Sequence, residues 1–447
     1  EAAYFDISER KLYELAKAGH DVGIELFVMD DGWFGNRDDD SSSLGDWYVN
    51  KKKLPNGLKG ICDKINALGM SFGIWVEPEM LNVNSDLYRL HPDWAMDIPG
   101  CAHSEGRNQR ILDLCNPEVT EYIIDSMTKV FSSANIAYVK WDMNRIFSDY
   151  YSKYLKAQGR PQGETAHRYV MALGRIMRTL TERFPHILFE GCAAGGNRFD
   201  LGILCYFPQI WASDNTDAVS RAYIQEGLSY GYPMSTVSAH VSVCPNHQTL
   251  RVTPLSTRFN VAAFGICGYE CNLVDMSRAE RSEIKTQIDI YKKWRHAMQF
   301  GSFYRQRTGN IHQWTVVDEE AGRAVGLIMQ ELVRANTQNE EYYAAGLDPE
   351  AVYSFYNRPL KHNVKEFGDL INTVAPIHIR QGSLLHGMVA KFVTMPGETE
   401  KYELSGSMLM NCGVRLKQAF AATGFSEEVR HFPDFASRLY FMEKISD

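Results

Sequence analysis

Short apolar runs alternate with longer amphipathic stretches from the start of the chain to about residue 300. An apolar run of roughly four to eight residues fits a buried strand, and an apolar stripe of helical period fits a helix packed on it. Their regular alternation predicts repeated β-α units around a parallel sheet. The candidate strands are Ala3–Asp6, Ile24–Asp31, Ser71–Glu77, Ala137–Asp142, His186–Gly191, Gln209–Asp214, Met234–His240 and Ala262–Tyr269. They number eight, the count that closes a (β/α)8 barrel. Helical period is predicted over Ser8–Ala18, Leu58–Leu68, Pro117–Ser132, Glu164–Phe184 and Ser277–Gln299. In the last, Ser277 followed three residues later by Glu280 reads as a capping box. The short run Arg110–Leu114 is placed outside the barrel.

Beyond Gly301 the pattern changes to short alternating runs punctuated by Gly and Pro: Gln313–Val317, Ala324–Met329, Tyr353–Tyr356, Met408–Leu416 and Leu439–Glu443. This period-2 texture predicts antiparallel strands. The chain is therefore read as an α/β protein: a catalytic (β/α)8 TIM barrel over residues 1–300, followed by a smaller antiparallel β-sandwich domain over residues 301–447. The segment Asn357–Gly406 has no clear period. The run Asp38–Asp40 reads as a solvated loop.

Composition narrows the function classes. Of 447 residues, 45% are hydrophobic and 23% charged, as in an ordinary globular protein able to bury a large core. A formal net charge of -8 without clustered Lys and Arg argues against a nucleic-acid partner. No apolar run is long enough to span a membrane, so no membrane partner is expected. Nine scattered cysteines with no CxxC pair fit a reducing compartment, and a cytoplasmic location is expected. The 13 histidines include no HxxxH pair, and neither a catalytic metal nor a cofactor is predicted.

Polar and charged residues gather where the predicted strands end: Asp30 and Asp31, Glu77, Asp142 and Asn144, Glu190 and Cys192, and Asp214. In a (β/α)8 barrel those ends and the loops after them form the active-site face. A single Asp after a strand is commonly a helix cap; the same feature at successive strands favours a site. Lys140 beside Asp142 favours an ionised carboxylate, or else marks a structural ion pair at the barrel rim. Asp214 supplies a second carboxylate, and glycoside hydrolysis needs two. Asp217, three residues further, reads as the cap of the next helix. Asp30 and Asp31 would repel one another if both faced one site, unless each accepts from hydroxyls or the pair holds a metal; otherwise they read as a cap and an exposed acid. Gly195 and its neighbours in Gly191–Arg198 permit close backbone approach to a ligand but carry no phosphate-loop signature. Trp75 suits either a sugar-stacking face or the core, and the core is the commoner fate.

Six strings together resemble the melibiase-type α-galactosidases of glycoside hydrolase family 36. They are Asp30–Gly35, Trp75–Met80, Gly106–Gln109, Lys140–Arg145, Gly191–Cys192 with the glycines after it, and Ser213–Ala218. The resemblance covers the chain to about Ser277, and more loosely the tail. It implies Asp142 as nucleophile and Asp214 as acid/base of a retaining hydrolase. Asp30 and Asp31 are implied to hold the 4- and 6-hydroxyls of galactose, Trp75, Arg107, Lys140 and Asn144 to line the pocket, and Cys192 and Gly195 to lie near the 2-hydroxyl. The implied substrates are α-galactoside oligosaccharides of melibiose or raffinose type. The family's large β-sandwich ahead of the barrel is not seen here, and the first strand looks clipped; a homo-oligomer is expected where that domain is present. Asn197 stands where the family often has a further Gly. A galactosyl transglycosylase and a non-catalytic galactoside-binding fragment are the alternatives, with a metal-dependent barrel enzyme behind them.

Overall fold

A computed structural model describes residues 2–334, 341–373, 375–416 and 431–445. They fall into two compact units, Glu1–Asp214 with Cys271–Ile288, and Asn215–Glu270 with Asp289–Asp447.

The first unit holds five parallel strands in sequential order: β1 (Leu26–Met29), β2 (Ser71–Val76), β3 (Ile136–Trp141), β4 (Leu188–Gly191) and β5 (Gln209–Trp211). After its first residue β2 is buried throughout, as a parallel strand covered on both faces must be. Helix α1 (Glu9–Val22) starts where Ser8 accepts from the Lys11 N–H and stops at Gly23, whose φ of 100° is left-handed. Helix α2 is Gly57–Ala67, and α3 (Pro117–Ser132) is capped by Asn116 with Pro at its first position. Helix α4 is Thr165–Arg183. Their apolar faces meet the strands in one core that includes Trp141, Phe189 and Phe207. Each such buried aromatic removes on the order of 150–250 Å² from water, about 4–6 kcal/mol before entropy is counted.

The predicted first strand, Ala3–Asp6, is a turn instead. Tyr4 has φ 47° and the Asp6 N–H is spent on the Ala3 carbonyl at 3.1 Å, so that N–H turns back on the segment and does not join a neighbouring strand. Arg110–Leu114 lies outside the parallel sheet as expected: Gln109–Ile111 pairs antiparallel with Met80–Asn82.

The second unit adds β6 (Val237–Val241) and β7 (Ile266–Tyr269), paired in parallel, so seven parallel strands are present among the described residues. Two predicted strands shorten here. Met234–Thr236 forms a 3-10 turn, and Ala262 closes helix α6 (Leu255–Ala262), which follows α5 (Ala218–Leu228). Helix α7 (Arg278–Phe300) opens on the expected box: the Ser277 N–H donates to Glu280 at 2.9 Å and the Glu280 N–H to Ser277 Oγ at 3.2 Å.

Six strands follow: β8 (Ser302–Thr308), β9 (Ile311–Asp318), β10 (Arg323–Gln330), β11 (Val352–Asn357), β12 (Lys401–Ser405) and β13 (Ser437–Lys444). They form an antiparallel sheet in the order β8-β9-β10-β13-β11-β12. A small pair, Glu341–Tyr342 with Val414–Arg415, covers one face, where Tyr342 packs on Tyr440 at 5.1 Å. Met408–Leu416 was expected as a strand, but Ser405 caps a helix over Gly406–Asn411 and leaves only Val414–Arg415 extended. The unassigned segment Asn357–Gly406 holds the antiparallel pair Lys361–Asn363 with Thr394–Pro396, a helix over Leu384–Phe392, and β12. The architecture is that of an α/β barrel followed by an antiparallel β domain.

Candidate active site

Every predicted site residue belongs to the first unit, at or beyond the C-terminal end of a parallel strand. Asp142 directly follows β3 and is only 6% exposed. Its Oδ2 accepts from Asn144 Nδ2 at 2.7 Å and from Trp75 Nε1 at 3.2 Å, and its Oδ1 from the Met143 N–H at 2.8 Å. Three donors fix the plane of one carboxylate. Trp75 therefore acts through its N–H: its ring is buried and stacked 6.3 Å from Phe34, so no face is left for a sugar.

The ion pair of Lys140 is with Asp30, while Asp142 acts on it as a nearby charge. The Lys140 ammonium pairs with Asp30 Oδ2 at 3.1 Å and lies over the Trp211 ring at 5.4 Å. Burial works against that charge, but Asp30, Cys192, Asp142 and Glu190 together hold the Lys140 pKa well above its ordinary value. In return, and against desolvation, Lys140 and the Asp31 N–H hold Asp30 below the usual carboxylate range. Asp30 and Asp31 diverge. The Asp30 side chain is 57% exposed, whereas Asp31 is clamped by Arg37 through Nε at 2.6 Å and Nη2 at 2.7 Å. Desolvation and the charge of Asp30 nevertheless leave the Asp31 carboxyl raised.

Asp214 lies three residues past β5, and its Oδ1 accepts from Trp211 Nε1 at 2.9 Å. It keeps an exposed face. Its carboxyl is raised above the ordinary value by desolvation first and by the negative charge of Asp142 second; the Trp211 N–H, Lys140 and Arg107 oppose the shift. Asp142, Lys140 and Arg107 thus all act electrostatically on Asp214. Asp217 caps α5 as expected, accepting from the Ser220 N–H at 3.0 Å.

Arg107 is exposed on a tight turn in which the Gln109 N–H donates to Gly106 O at 3.0 Å. Arg107 and Asn108 have φ of 50° and 57°, left-handed values that L residues adopt at a cost. Cys192 is buried, and desolvation, then Asp142, push its thiol far above the ordinary range. Gly195, at φ 86°, presses on the chain beyond β5: a Cβ there would lie 2.9 Å from Ser213 Cα and 3.2 Å from Asp214 N. Close approach to a ligand was expected of this glycine; the structure shows its approach to the backbone that carries Asp214.

Several supporting residues were given no role from sequence, Glu77 being noted only as a strand-end acid. Glu77, fully buried, accepts from the Asn144 N–H and, at 3.1 Å, from Gln109 Nε2. Desolvation and the charge of Asp142 raise its carboxyl far above the usual range. Glu79, also fully buried, accepts from Trp141 Nε1 at 2.9 Å, Tyr169 Oη at 2.8 Å and Arg198 Nη1 at 2.7 Å. Both sit in the string after β2, which was the available signal; Arg37 and Arg198, on loops, left none. Among the described residues, the carboxylates of this site join no cluster of His, Cys, Asp and Glu that could hold a metal.

Comparison with known proteins gives a consistent result. Residues 1–301 match the melibiase family and residues 311–442 the glycosyl hydrolase family 36 C-terminal domain. The chain is 49% identical over 356 residues to α-galactosidase AgaA of Geobacillus stearothermophilus, covering 79% of this chain and 49% of that protein. It is 46% identical over 355 residues to α-galactosidase Mel36A of Lactobacillus acidophilus, covering 79% of this chain and 48% of that protein. The chain thus spans about half the length of these relatives. The crystal structure of an AgaA variant in complex with raffinose superposes with a TM-score of 0.84 at 40% identity, over 99% of this chain and 54% of that one. The Lactobacillus brevis α-galactosidase gives a TM-score of 0.85 at 37% identity, over 100% of this chain and 54% of that one.

Proposed function

The chain belongs to the melibiase family of glycosyl hydrolase family 36, and from that premise we propose that it is a retaining α-galactosidase. It cleaves terminal α-D-galactose from raffinose- and melibiose-type oligosaccharides by double displacement. The observation that carries this reading is the unequal environment of two carboxyls. Asp142 is gripped by three donors, while Asp214 is raised by desolvation and by Asp142 itself. Two carboxyls in such unlike surroundings divide into nucleophile and acid.

In the first step Asp142 attacks C1 of the galactosyl group. The bond from C1 to the glycosidic oxygen breaks, and the Asp214 proton goes to that oxygen. Esterification removes the Asp142 charge, and with it one of the causes that raise Asp214. Asp214 is then a stable carboxylate, suited to take a proton from the water that attacks C1 in the second step. Galactose leaves, and both carboxyls return to their starting states. Trp75 and Asn144 hold Asp142 in line. Asp30, exposed and anchored by Lys140, is assigned to the galactose hydroxyls. A site built to pair an axial 4-hydroxyl leaves its own acceptor unpaired with a glucoside, which is the costly mismatch.

The described cysteines form no disulfide, and no described helix is long and apolar enough to cross a membrane. Together these support the reading of a cytoplasmic enzyme. The gap between the two family matches, 301 to 311, supports a domain boundary near Gly301. The test is hydrolysis of an aryl α-galactoside by the chain and by Asp142→Gly. The variant should be inactive and regain turnover with azide, yielding a galactosyl azide. Full activity in Asp142→Gly would refute the assignment.

A further inference from the structure

Within the second unit, His362, Glu366 and His431 converge on one point. His362 lies on the short strand Lys361–Asn363, Glu366 one turn later in the 3-10 segment Val364–Thr373, and His431 shortly before β13. We propose that these three side chains form a binding site for one zinc-class divalent cation. The function proposed above neither uses nor requires it.

The distances favour ligation over simple hydrogen bonding. Glu366 Oε2 stands 3.3 Å from His362 Nδ1 and 3.5 Å from His431 Nε2, and the three ligand atoms lie within 4.8 Å of one another. A charge-assisted N–H···O bond settles at about 2.7–2.9 Å. By contrast, two ligands about 2.0–2.1 Å from a tetrahedral zinc stand about 3.3 Å apart along the edge of the tetrahedron. The two distances from Glu366 are those of ligands around an ion.

The surroundings are ordered as a ligand set requires. The Asn363 N–H donates to Glu366 Oε1 at 2.8 Å, which fixes the carboxylate and leaves Oε2 toward the imidazoles. Arg438, paired with Glu398, donates from Nη2 to the His431 carbonyl at 2.8 Å and holds that backbone. Phe367 flanks both imidazoles, at 6.2 Å from His362 and 4.8 Å from His431. The two histidine side chains are 8% and 10% exposed, whereas Glu366 is 43% exposed. An ion thus has an entry path and a side open to a water as fourth ligand. Two imidazoles and one carboxylate suit zinc rather than calcium or magnesium, which need more oxygens. The ion would tie the segment carrying His362 and Glu366 to the chain ahead of β13, a structural clip rather than a catalytic centre. The local pair is His362 and Glu366, so no HxxxH spacing marks it in the sequence.

The experiment is calorimetric titration of the full chain, stripped with EDTA, using zinc chloride, together with Co2+ absorption. One zinc per chain is expected, with visible Co2+ bands of tetrahedral intensity. Glu366→Gln, on an exposed side chain that does not threaten folding, should weaken zinc at least about 100-fold, as should His431→Gln. Circular dichroism and aryl α-galactoside hydrolysis should stay unchanged in Glu366→Gln. Absence of stoichiometric binding overturns the proposal, as does equal affinity in Glu366→Gln. Near-ultraviolet sulfur charge-transfer bands with Co2+, which report cysteine ligation elsewhere, overturn it too.

Discussion

Replacing Trp211 by Phe removes one donor from Asp214 and leaves most of a buried ring in place. The bond is 2.9 Å from Nε1 to Oδ1, and it favours the ionised carboxyl. Without it Asp214 becomes a weaker acid. A hydrogen bond to a charged group contributes about 1.5–3 kcal/mol, and one pKa unit is about 1.4 kcal/mol, so the ceiling is about one to two units. Asp214 keeps an exposed face, where water replaces part of the lost donor. The discounted expectation is an upward shift of about 0.5–1 unit. The assay is the pH dependence of kcat/KM on an aryl α-galactoside, whose alkaline limb reports the acid of the free enzyme. That limb should move to higher pH while the acid limb stays. A limb that stays fixed or moves down would show that Asp214 is not the proton donor or that Trp211 does not tune it.

Other perturbations test the supporting structure. Arg37→Leu leaves the half-buried Asp31 without its cation, and should lower unfolding stability in urea by about 2–3 kcal/mol, below the roughly 3–5 of a fully buried pair. Gly195→Ala places a Cβ against Ser213 and the Asp214 N–H at a left-handed φ. It should cut kcat at least about tenfold with circular dichroism intact. The raised Glu77 carboxyl means the folded state binds more protons than the unfolded one above pH about 4.5. Stability should therefore fall as pH rises from there toward the folded pKa, and Glu77→Gln should flatten that slope of Tm against pH between 5 and 8. An unchanged slope in the variant would place the titration on another group.

What the residues disclosed and what they hid follow physical lines. Apolar runs ending in acids located β1 to β5 and both carboxyls, because strand burial and strand-end chemistry are written locally. The helix starting after Ser277 was legible for the same reason: its cap needs only Ser277 and Glu280. Ala3–Asp6 looked like a strand because alternation does not report a positive φ at Tyr4. Met408–Leu416 misled because the cap at Ser405 precedes the run that it turns into a helix. Partners distant in sequence were hidden altogether. Lys140 pairs with Asp30, 110 residues away, and Arg37 clamps Asp31, while the charge of Asp30 still acts on Asp31. Trp75 looked like a stacking face or core filler and serves as a donor to Asp142.

The most direct measurement uses a fluorinated α-galactosyl fluoride, which forms the covalent intermediate faster than water clears it. Peptide mass mapping of the labelled chain should find the sugar on the peptide containing Asp142, with loss of activity matching the labelled fraction. Label on any other carboxylate, or continued turnover with none bound, would contradict double displacement through Asp142.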